Sequence, residues 1–127
     1  MNREGALKVV LVVVGLLFVA TVYPLLMFLW QPHQEEAALT MMLSVYVTLG
    51  VFVLLAARNP SANRSLIAFT AWSSFAHAAV MVVQSFHMAS ERVHLLIGMA
   101  FLAVIGLALI LLAPVKPSMQ PASAVSA

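Results

Sequence analysis

His77 lies near the middle of a long apolar run, the one side chain titrating near neutral pH so placed. A charge at that depth in a bilayer costs at least about 2.5–3.5 kcal/mol, so the imidazole is expected to be neutral or paired. Thr70, Ser73, Ser74, Gln84 and Ser85 share its segment. Thr70, Ser73, His77, Met81, Gln84 and Met88 recur at spacings of three and four, which sets them along one face of a helix. Such a stripe can hold helices together by interhelical hydrogen bonds, each worth about 0.6 kcal/mol and at most about 1.7. It can also form a buried ligand or proton site. His77 could be an axial ligand to a haem or chlorin, although a bis-histidine haem would need a second chain. By matched depth in neighbouring segments, Tyr46 and Thr48 are the expected hydrogen-bond partners within the chain.

A second constellation comprises His87, Glu91 and His94, spaced four and three apart, with His33, Glu35 and Glu36 on an adjacent connection. Imidazole and carboxylate suit Zn²⁺ or a similar divalent ion, and the nearby Met27, Met41, Met42, Met88 and Met99 would favour copper(I). The three residues share a face only if the segment is one continuous helix, and a short turn before His94 works against that. Loop His and Glu are otherwise simply solvated, and Met is a common filler of membrane helices.

No acidic residue falls within an apolar run, unlike proton-coupled exporters that depend on an embedded Glu. With no Asp and no Cys, Ser-His-Asp catalysis, thiol chemistry and covalent c-type haem attachment are excluded, and no phosphate loop or HExxH pair occurs. The expectation is a protein that is not an enzyme, and no cofactor is specified. Six basic residues are scattered rather than clustered, so nucleic acid is not an expected partner.

The elements that position these residues follow from composition. Of 127 residues, 64% are hydrophobic and 8% charged, with a mean hydropathy of +1.07. That leaves too few polar side chains to cover a water-facing surface. Four apolar runs, about 7–30, 38–57, 66–86 and 95–113, each approach the ~20 residues a helix needs to cross a ~30 Å hydrocarbon core. Without period-2 alternation, helices are the expected spans. The first run is too long for a cleaved signal core, so it reads as an uncleaved helix that Pro24 kinks near an aromatic end of Tyr23, Phe28 and Trp30. Short connections predict an all-α, up-down-up-down transmembrane four-helix bundle over residues 1–113. Asn59-Pro60 signals a turn, with Ser61 or Asn63 as helix cap. Residues 114–127, rich in Pro, Ser and Ala, are expected to be a disordered tail.

An even number of spans puts Arg3, Lys8, Arg58, Arg64 and Lys116 on one side and Arg92 on the other. The positive-inside rule makes the first side cytoplasmic, with both termini there, in a cell inner (plasma) membrane. Gly98, Ala103 and Gly106, with Ser74 and Ala78, offer surfaces for close helix contact. The segment from Leu54 to Ser61 matches Leu111 to Ser118 at five of eight positions, but Gly50 and Gly106 fall out of that register, so the match reads as compositional chance.

The segments from Arg58 to Phe69 and from Thr70 to Ala78 resemble a family of small, uncharacterised bacterial four-span membrane proteins, defined as a domain of unknown function. The resemblance covers about residues 3 to 115 and implies one compact inner-membrane domain; it carries no activity, cofactor or site. The expected role is an accessory or structural membrane component in contact with lipid, other membrane proteins or its own copies. The alternatives are a metal- or cofactor-binding protein, or a small transport or channel subunit using the polar face of the third helix.

Overall fold

The computed structural model describes residues 2–30 and 37–115 and is all-helical among them. Five α-helices, α1 (Arg3–Ala20), α2 (Val22–Trp30), α3 (Ala37–Ala56), α4 (Arg64–His87) and α5 (Arg92–Leu112), make four spans because α1 and α2 run on as one. Each span is long and apolar enough to cross a membrane. Their outer surfaces carry Leu16, Phe52, Phe69, Trp72, Val104 and Leu111, which only lipid can solvate cheaply.

Local chemistry sets the boundaries. The α1 helix starts at Arg3, before the apolar run, because the Asn2 side chain accepts from Gly5 N at 2.7 Å and Glu4 pairs with Lys8 at 3.4 Å. It stops at Ala20, whose carbonyl would meet the ring of Pro24 and has no N–H there to bond; the break falls at Thr21, one turn before the proline. Thr21 Oγ1 donates to Phe18 O at 2.6 Å, and Leu25 N still bonds Thr21 O at 3.1 Å, so the span continues across the break without unwinding. Between α3 and α4, Asn59 rather than Ser61 or Asn63 is the cap: it accepts from Ala62 N and starts a 3₁₀ turn at Pro60, while Asn63 makes no side-chain cap.

Helix α1 packs antiparallel along α3, and α4 along α5, giving two hairpins set side by side. Each hairpin crosses at a glycine. A Cβ on Gly50 would lie 2.7 Å from Val19 N and 2.9 Å from Gly15 O, and one on Gly106 would lie 3.0 Å from Ala71 O. Such close approach lets the helix backbones pack without an intervening side chain.

The core is unevenly placed. Leu7, Leu11 and Val14 of α1, Val53 of α3, Ile67 and Ala71 of α4 and Ile105 and Leu109 of α5 fill one half of the molecule. In the other half, α2 buries no residue and α5 buries none before Leu102. The packed half is also latched. Arg3 Nη2 donates to the carbonyls of Leu111 (3.1 Å) and Ala113 (2.9 Å), and Arg64 Nε to Pro114 O (3.2 Å), so two cations satisfy carbonyls at the end of α5.

Candidate functional site

Where the hairpins part, an apolar crevice of about 280 Å³ opens between them, and all four spans contribute to it. Leu17, Phe18 and Thr21 come from the first span, Met42, Leu43 and Tyr46 from α3, His77 and Met81 from α4, and Gly98, Phe101 and Leu102 from α5. The polar side chains on its wall are Thr21, Tyr46 and His77. The Thr21 hydroxyl is bonded to its own helix.

Tyr46 Oη and His77 Nδ1 share a hydrogen bond of 2.6 Å between α3 and α4. The two rings meet edge to face at 5.5 Å and 68°. Phe18 packs edge-on to Tyr46 at 5.0 Å and 80°, which fixes the phenol from the α1 side. The pair thus links the two hairpins on the crevice wall, with His77 partly buried.

The rest of the polar stripe does not converge on it. Thr70 is fully buried, but its hydroxyl donates to Leu66 O at 2.8 Å; Ser73 donates to Thr70 O at 3.1 Å. Gln84 and Met88 are exposed, and Met81 lines the crevice. Thr48, placed by depth beside His77, is exposed and donates to Ser44 O at 3.0 Å. Depth matching selects two candidates on α3, yet Tyr46 and Thr48 lie two residues apart, about 200° around a helix, so only one can face α4. Buried Ser74 and Ser85 likewise bond carbonyls of their own helix, Thr70 O and Val82 O. Hydroxyls in an apolar medium take the nearest acceptor, and the carbonyl three or four residues back is always within reach. The expectation that Ser and Thr bond across helices is corrected accordingly.

The second constellation is separated by the turn. Helix α4 ends at His87, Met88 turns at φ −115° and ψ 80°, and a 3₁₀ turn over Ala89–Glu91 precedes α5, so His87, Glu91 and His94 do not lie on one helix. All three are exposed, and among the described residues no group of three His, Cys, Asp or Glu could hold a metal ion. His33, Glu35 and Glu36 lie outside the described residues, as does the tail from Lys116. Arg92 caps the preceding helix instead, Nε donating to Ser85 O at 2.9 Å.

Sequence reasoning did not single out Phe18, Phe101 or the arginine latches. Their signal was available in part: Phe18 lies one turn before the Pro24 break, and Arg3 and Arg64 begin spans antiparallel to α5, whose last carbonyls need donors.

Four apolar spans in two hairpins define a multi-pass membrane protein. The chain belongs to a family of unknown function, DUF6632, whose profile matches residues 4–125. The match runs beyond residue 115 and takes in most of the Pro/Ser/Ala-rich tail that the resemblance left out. Comparisons with curated proteins and with solved structures return no match.

Proposed function

We propose that the chain is a non-catalytic accessory component of a bacterial inner membrane that acts by binding within the bilayer, in the crevice between its hairpins. The observation that carries this reading is the convergence of all four spans on one apolar crevice holding an interhelical polar pair. Ligand sites favour such concave apolar surfaces with a few convergent polar groups. Conduction is less well supported, because the stripe's hydroxyls are spent on their own carbonyls and leave no row of free polar groups along α4.

The basic end supports an orientation with both termini in the cytoplasm. Arg3, Arg58 and Arg64 gather where α1 and α4 begin and α3 ends, and the positive-inside rule sets that end inward. The crevice then opens in the half of the bilayer away from the cytoplasm.

The test is thermal unfolding of the purified full chain in detergent, with and without total lipid extract from a bacterial membrane. A ligand that binds only the folded chain raises its unfolding temperature. Wild type is expected to be stabilised, and Gly98→Leu, which fills the crevice wall, is expected to lose that response. Equal stabilisation of both chains, or of neither, contradicts the reading.

A further inference from the structure

The Tyr46–His77 pair carries a hydrogen-bond deficit that specifies what the crevice would accept. A neutral imidazole has one N–H donor and one lone-pair nitrogen, and a phenol has one O–H donor and acceptor lone pairs. One shared bond uses one of the two donors, whichever way it runs. If Tyr46 donates to Nδ1, the Nε2–H of His77 is left over; if Nδ1–H donates to Tyr46, the phenol O–H is left over. Neither ring makes a second hydrogen bond among the described residues. One donor therefore remains in an apolar setting, where leaving a donor unmet is costly.

From that count we propose that the crevice binds a lipid-soluble quinone-type molecule, its ring carbonyl accepting the spare donor of the Tyr46–His77 pair. This rests on the reading of the crevice as a binding site. An acceptor is needed, and it should be uncharged, because no cationic side chain lines the crevice to receive an anionic head. The walls favour a flat ring: Phe101 presents an aromatic surface, and Met42 and Met81 present thioethers that pack well on ring edges. Gly98 leaves room beside the flexible end of Met81, whose methyl would lie 2.9 Å from any added Cβ. About 280 Å³ suits one ring, with an apolar tail leaving by the open side into lipid.

The experiment is native mass spectrometry of the full chain released from nanodiscs containing decylubiquinone or, in parallel, decylbenzene, which has the ring and tail but no carbonyl. One quinone adduct per chain is expected, with no comparable decylbenzene adduct. Tyr46→Phe and His77→Phe each still leave one donor, so each single variant should retain binding. The Tyr46→Phe/His77→Phe double variant removes both donors while keeping an aromatic ring at each position and should bind about tenfold more weakly or worse. Equal binding of both probes overturns the carbonyl assignment while leaving the crevice reading standing. Binding of neither probe also overturns the assignment, and the crevice reading is then decided by the lipid-extract stabilisation, which uses no quinone. Should the double variant fail to fold, the comparison of the two probes on wild type still decides the proposal.

Discussion

Tyr46 and His77 join the two hairpins by a hydrogen bond between two side chains, whereas Thr48, Thr70, Ser73 and Ser74 each bond a carbonyl of their own helix. The two kinds of bond should respond differently to mutation. Tyr46→Phe removes the phenol hydroxyl and should destabilise the chain by about 0.6 kcal/mol and at most about 1.7. Thr48→Val, which removes a hydroxyl bonded to its own helix on an exposed face, should change stability by less. Unfolding of the two variants in mixed micelles against SDS measures the difference; equal effects would show that the Tyr46–His77 bond has no special role. His77 was legible as an outlier because a lone imidazole among apolar residues is costly. Tyr46 was legible by depth. The fate of the hydroxyls was not, since spacing along a helix shows which face a side chain occupies but not that a local carbonyl satisfies it first.

At the scale of elements, the spans were readable from apolar length, and their ends were displaced by local polar chemistry. Asn2 and the Glu4–Lys8 pair carry α1 back to Arg3, and Pro24 acts one turn upstream of itself. The helix crossings depend on glycines whose roles differ. A Cβ at Gly50 meets backbone, Val19 N at 2.7 Å, whereas a Cβ at Gly98 meets only the end of Met81. Gly50→Ala should therefore force α1 and α3 apart at a cost of about 1–3 kcal/mol, and Gly98→Ala should cost less. The same SDS titration checks the order; a Gly98→Ala chain less stable than Gly50→Ala would contradict the crossing. The hairpins also repeat each other's crossing. Gly50 and Gly106 are 56 residues apart, as are Gly15 and Ala71 whose carbonyls they face. The buried pairs Leu11 and Ile67, and Val53 and Leu109, keep that spacing. The sequence match from Leu54 to Ser61 lies at 57, one residue out of step, which hid the correspondence.

The whole molecule is latched at its basic end and parted at the other. Composition made the apolar spans legible, and the distribution of charge is the ground for the proposed orientation. The uneven core was not legible, because all four runs are similarly apolar and only their packing shows which half is buried. Reporter fusions after Asn63 and at the C-terminus should both report the cytoplasm; a periplasmic signal from either would refute the proposed topology. The most direct test of a binding crevice is a photo-cross-linking scan in native membranes, with benzoylphenylalanine at Leu17 or Phe101 on the crevice wall and at Trp72 or Val104 on the outer surface. The crevice positions should capture one discrete lipid-soluble species and the outer positions only bulk phospholipid; the same products from both sets would contradict a site between the hairpins.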